Sequence, residues 1–146
     1  MCIIVDVNLA SEILPPTPSA DLEPIYRAIE NHSATLVYGG KLRREYERTT
    51  KFRRWLMVLD RQGSARYVSD SLVDAETQAL IRNGQCVSDD QHIIALARIG
   101  GARLLCTNDD DLATDFRNPA LISKPRGNIY RRPEHSNLIR IHCRRA

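Results

Sequence analysis

The sequence lacks most of what specialised architectures require. No run approaches the roughly 18–20 apolar residues of a membrane-spanning helix, so no membrane association is expected. The four cysteines, Cys2, Cys86, Cys106 and Cys143, are scattered, without a CxxC or Cys/His spacing suited to zinc. Cys106 sits in an apolar run and reads as a small buried hydrophobe. Cysteine usage of this kind leads us to expect a reducing, cytoplasmic setting. The opening MCIIVDVNLASEIL has no basic segment and carries an aspartate inside its apolar stretch, which argues against a signal peptide. There are no repeats, low-complexity tracts or linkers, and 146 residues suit one domain spanning 1–146. No Ser-His-Asp or Cys-His constellation is apparent, so no side-chain nucleophile is expected.

What is present is charge, unevenly spread. The formal net charge is only +3, yet half of the fourteen positions in KLRREYERTTKFRR, residues 41–54, are Lys or Arg. A basic C-terminal segment runs from about 124, with Lys124, Arg126, Arg131, Arg132, Arg140, Arg144 and Arg145 against the single acid Glu134. Acids gather instead at Asp89-Asp90 and Asp109 to Asp111. Basic segments beside acidic clusters suggest a polyanion held near a cation-binding centre. The bland alternative is a solvated helix face and a disordered basic tail.

The apolar pattern alternates between strand and helix. Cys2–Val5 is a short continuous apolar run, as in a strand buried on both faces. Leu9–Leu14 begins a helix that Pro15-Pro16 stops, and Asp21-Leu22-Glu23-Pro24 opens another that carries Ile25, Ala28 and Ile29 inward. Ala34–Tyr38 is a second strand, closed by Gly39-Gly40. One helix then runs from Leu42 through Tyr46, Phe52, Trp55 and Leu59 to about Asp60, ended by Gly63-Ser64. Arg66–Val68 is a candidate strand, and Ser71–Arg82 is helical up to Asn83-Gly84. Ser88-Asp89-Asp90-Gln91 has the form of a capping box with Ser88 as N-cap. The buried stripe Ile93, Ile94, Leu96 and Ala97 follows, then Gly100-Gly101 and a strand over Ala102–Cys106. This alternation predicts an α/β fold with a mostly parallel sheet covered on both faces.

In such folds the chemistry collects at the carboxyl ends of the strands. Asp6 ends the first strand, Asp109 follows the later one, and Asp90 opens a helix facing the same rim. Glu45 is a fourth candidate, with Glu47 as its rival. Converging carboxylates cannot all stay ionised without a balancing cation. All-oxygen ligands suit Mg²⁺ or Mn²⁺. Each acid has an ordinary explanation too. Asp90 suits a helix N-terminus, Asp109 can cap the following helix with Asp110 and Asp111 as first-turn acids, and Glu45 has Lys41, Arg44 and Arg48 for ion pairs. Asp6 has no such account, since burying an unpaired carboxylate is costly. His92 is expected to pack near the rim, and Tyr46 and Trp55 to pack in the core rather than stack on bases.

Taken together, IIVDVN, LRREYE and DDQHIIALARIGGARLLCTNDDDL resemble a PIN-domain ribonuclease over roughly residues 2–116. The resemblance implies a three-layer α/β/α sandwich. It implies metal-dependent endonuclease cleavage of single-stranded RNA, with Asp6, Glu45, Asp90 and Asp109 as the catalytic acids. Asp6, Asp90, Asp109 and the frequent extra acid Asp111 would bind the metal, supported by Asn8 and Thr107. Lys41, Arg43, Arg44, Arg48, Arg53 and Arg54 would hold the phosphate backbone. A homodimer, and a toxin role with a small antitoxin protein, also fall within the resemblance. Residues 60–87 and 117–146 match nothing in it.

Two readings compete with this one. A PIN-like binding module that has lost catalysis would keep the basic patch and not need the acids. A haloacid-dehalogenase-type phosphotransferase also places an aspartate after its first strand. It needs a second Asp two positions on, where this chain has Asn8, and a downstream lysine signature that is absent here.

Overall fold

The computed structural model describes residues 2–143; Arg144 and Arg145 of the basic C-terminal segment lie outside the described residues. Five parallel strands form one sheet in the order β3-β2-β1-β4-β5. They are β1 (Ile3–Val5), β2 (Leu36–Gly39), β3 (Ala65–Val68), β4 (Leu104–Cys106) and β5 (Asn128–Tyr130). Helices cover both faces, giving a three-layer α/β/α sandwich. These are α1 (Ala10–Ile13), α2 (Glu23–Glu30), α3 (Gly40–Glu47), α4 (Thr50–Gln62), α5 (Asp70–Asn83), α6 (Gln91–Gly100), α7 (Asp110–Arg117) and α8 (Asn137–Cys143).

Strand alternation sorts the layers. Val37 and Val68 face α6 so closely that a Cβ at Gly100 would sit 3.0 and 3.1 Å from them. Tyr38, one residue on, points the other way, and its hydroxyl donates to Asp60 of α4 at 2.8 Å. The three central strands are buried along their whole length, which is why they are apolar without alternation. On the α4 side, Tyr26 stacks on Trp55, and Trp55 meets Phe52 edge-on. Tyr46 and Trp55 are therefore core residues, 0% and 5% exposed.

Several local expectations need correction. The single helix over 42–60 is two, α3 and α4, with Thr49 extended between them (φ −107°, ψ 129°). The break lets the Tyr46 and Phe52 rings stack at 4.2 Å, while the Tyr46 hydroxyl donates to the Val5 carbonyl under the sheet edge. The capping box at Ser88 does not form, because α6 starts at Gln91 with Asp90 as its N-cap residue. Ser88 Oγ instead accepts the Asp90 N–H at 3.3 Å in a tight turn. Within its described part, to residue 143, the C-terminal segment is an ordered element of the fold. It supplies β5, and Cys143 at the end of α8 is disulfide-bonded to Cys2, which precedes β1. Cysteine usage therefore gives no support to a reducing compartment. No described helix is long and apolar enough to cross a membrane.

Candidate functional site

The chain runs from β1 outward to β2 and β3, then returns to β4 on the other side of β1. The strand order thus reverses between β1 and β4, the position beyond whose carboxyl ends open α/β sheets bind their ligands. Val5 pairs with Cys106, so the next residues of the two strands, Asp6 and Thr107, are neighbours across the sheet edge. Thr107 Oγ1 donates to Asp6 Oδ2 at 2.8 Å, and the Asn8 N–H approaches Asp6 Oδ1 at 3.3 Å. Asp6 is only 5% exposed, yet these two donors hold it. Asn8 thus supports Asp6 through its backbone, and its own side chain is exposed.

The same threonine positions the next acid. Thr107 Oγ1 accepts the Asp109 N–H at 3.1 Å, and Asp109 Oδ1 caps α7 by accepting the Leu112 N–H at 3.1 Å. Capping and membership of the site are compatible here, because the cap uses one carboxylate oxygen. Asp110 is drawn aside by Arg131, whose Nη2 donates to it at 2.8 Å while its Nε donates to the Thr107 carbonyl at 3.1 Å. Asp111 is exposed on the first turn of α7.

Glu45 reaches the edge from α3, which is held from below. Gly40 opens that helix at φ +59°, and a Cβ there would lie 2.7 Å from Val73. Its N–H donates to Asp70 Oδ1 at 2.7 Å, and Arg43 clasps the same carboxylate. Of the two rival acids, Glu47 turns outward to pair with Arg43 at 2.8 Å. Glu45 turns inward, where Oε1 lies 3.1 Å from His92 Nε2. His92 is 4% exposed, and burial pushes its pKa down to about 4. At neutral pH the contact is therefore a neutral Nε2–H donating to a carboxylate rather than an ion pair.

Asp90 stands at the N-terminus of α6, on a loop anchored by a residue the sequence reading overlooked. Asp115 of α7 is 1% exposed and accepts the N–H groups of Val87 and Ser88, both at 2.9 Å. Its signal lay in the pattern: an aspartate on the apolar face that Leu112, Ala113 and Phe116 define.

Electrostatics ties the four acids together. The Asp90 pKa is raised, first by burial and then by the charges of Asp6, Asp109 and Glu45, with His92 opposing. That of Glu45 is raised by burial and by Asp6, against Lys41 and Arg48. Asp111 is not among the charges acting on Asp90. The carboxylates of Asp6, Asp109 and Glu45 meet different partners, Thr107 Oγ1, the Leu112 N–H and His92 Nε2. Among the described residues no three His, Cys, Asp or Glu side chains are grouped closely enough to hold a metal ion. The four acids offer oxygen atoms only, the donor type that a hard divalent cation takes.

The basic residues divide in two. Arg43 and Arg44 are neutralised by Asp70, Glu47 and Asp74. Lys41, Arg48, Arg53 and Arg54 are exposed and form no ion pair among the described residues. A larger open depression of about 1140 Å³, around Asn31–Ser33 and α8, lies at the opposite edge of the sheet and holds none of the acids. The sequence matches no protein-family model and no curated protein.

Proposed function

We propose that this protein is an endoribonuclease of PIN type that hydrolyses phosphodiester bonds in single-stranded RNA with Mg²⁺ or Mn²⁺ as cofactor. One observation carries the reading: Asp6 at the end of β1, Glu45 on α3, and Asp90 and Asp109 at the starts of α6 and α7 all stand on the rim where the strand order reverses. Acids placed along one rim have a physical purpose if they draw positive charge between them.

In this reading Asp6, Asp90 and Asp109 hold the ion, with Thr107 fixing Asp6 and Asp109 at once. The ion, when bound, offsets charge developing on the phosphate and acidifies water. Glu45, oriented by His92, positions the attacking water and takes up its proton. Lys41, Arg48, Arg53 and Arg54 hold the phosphate backbone of the strand, giving salt-sensitive and largely sequence-independent affinity.

Labelled single-stranded RNA should be cut in Mg²⁺ or Mn²⁺ and left intact both in EDTA and by Asp6→Asn. Cutting that survives Asp6→Asn would exclude this site. The second reading, a PIN-like module that binds RNA without cutting it, draws on the separation of the acids. Salt-dependent binding with no cleavage in either metal would favour it. The toxin role, with an antitoxin partner and a homodimer, rests on the same reading. It requires that expression arrest growth and that Asp6→Asn relieve the arrest.

A further inference from the structure

A cavity of about 410 Å³ opens beside the acidic edge, between α3, α5 and the start of α6. That volume lies within the roughly 300–1,000 Å³ range of small-ligand pockets. His92, which holds Glu45, forms part of its lining, so the cavity and the candidate site share a side chain. Lys41, one helical turn before Glu45 on α3, lines it as well. Gln78 of α5 and Gln91 of α6 face into it, and among the described residues neither amide is taken by a protein partner. Asp89 adds a carboxylate that is likewise unpaired. Ile81, 48% exposed, supplies an apolar wall that the fold itself does not use.

Two amides, the unpaired Asp89 carboxylate and an apolar face, with Thr77 and the Arg44–Asp74 ion pair completing the lining, make a particular kind of receptor. A planar heterocycle packs its face against apolar side chains and offers its edge to amides and carboxylates. A cation at the mouth suits the phosphate attached to that heterocycle. We propose that this cavity is a nucleobase subsite, which takes the base of the ribonucleotide next to the scissile phosphate. The placement next to the scissile phosphate rests on the ribonuclease reading; base recognition itself does not.

The lining also sets a preference. Asp89 only accepts, and each glutamine amide can turn its oxygen toward a donor, which suits bases carrying an exocyclic amino group. Uracil has no such group and offers a single ring N–H. Cytosine and uracil have the same size and differ in that edge, so they isolate the effect.

The test is fluorescence anisotropy of the wild-type protein with labelled oligo(C) and oligo(U) 12-mers, at fixed salt in EDTA so that no strand is cut. Oligo(C) should bind about fivefold or more tightly than oligo(U). Gln78→Ala/Gln91→Ala should bring the ratio within twofold. Arg53→Ala/Arg54→Ala should weaken both strands and leave the ratio standing. Circular dichroism confirms that the variants are folded. A wild-type ratio near one, or a ratio that the double glutamine variant does not change, overturns the subsite. Cleavage in Mn²⁺ is then read separately. A retained preference without cleavage removes the ribonuclease and keeps the subsite, and cleavage without preference does the reverse.

Discussion

Asp115→Ala is the substitution whose cost the structure defines most sharply. The carboxylate is buried in α7 and accepts two backbone N–H groups from the loop before α6, both at 2.9 Å. Hydrogen bonds to a charged group contribute about 1.5–3 kcal/mol each, and an orphaned buried donor carries a comparable penalty. The Ser88 bond is fully buried and should account for about 2–3 kcal/mol. The Val87 bond is more open to water and should account for about 1–2 kcal/mol. Together the loss is roughly 3–5 kcal/mol, a large share of the ~5–15 kcal/mol that stabilises a typical domain. At this chain length that corresponds to a fall in Tm of roughly 8–15 °C. Urea unfolding is the assay: the midpoint should fall with an unchanged m-value. Asp115→Asn keeps one acceptor oxygen and should recover part of the loss. An Asp115→Ala protein within about 1 kcal/mol of wild type would refute the reasoning. The loop would then be held by something other than these two bonds.

Other substitutions probe separate parts of the account. Thr107→Val removes the donor to Asp6 and the acceptor for the Asp109 N–H, and should weaken Mn²⁺ affinity and cleavage about 10–100-fold while the fold survives. An unchanged Mn²⁺ titration would count against it. Arg53→Ala/Arg54→Ala should reduce the salt dependence of single-stranded RNA binding, with the log–log slope shallower by up to about 1.4. A slope equal to that of wild type would place the strand elsewhere. Asp70 has its pKa lowered, chiefly by the Arg43 guanidinium. Its folded value lies below the unfolded value of about 3.9, so its contribution is present at neutral pH and is lost as pH falls through the folded value. Asp70→Asn should lower stability at pH 7 and flatten the loss of stability on acidification below about pH 4; parallel pH–stability curves for the two proteins would contradict this.

The parts of this molecule that were legible in its sequence are those set by local pattern. Ile3–Val5, Leu36–Tyr38 and Leu104–Cys106 are continuous apolar runs because each lies between two helical layers. β5 was not legible, because Asn128-Ile129-Tyr130 is too short to carry a period and becomes a strand only by pairing with β4. The gap between α3 and α4 was hidden as well, since Leu42, Tyr46 and Phe52 keep near-helical spacing across the extended Thr49. At the edge, Asp6, Asp90 and Asp109 could be grouped because topology alone brings strand ends and helix starts to one rim. Their supports depend on side-chain reach between distant segments, as in His92 to Glu45, Asp115 to the loop before α6, and Arg131 to the Thr107 carbonyl. No local rule exposes such pairs, although the aspartate on the apolar stripe of α7 was a visible clue.

The central claim is that the four acids repel one another until a divalent cation joins them. Thermal unfolding of wild type and Asp90→Asn, each in EDTA and in excess Mn²⁺, tests it most directly. Wild type should gain stability in Mn²⁺, by about 2.7 kcal/mol at a hundredfold excess over Kd. Asp90→Asn should start above wild type in EDTA, because one repelling charge is gone, and should gain little from the metal. A wild-type Tm that Mn²⁺ leaves unmoved, or an equal gain in both proteins, would contradict the claim.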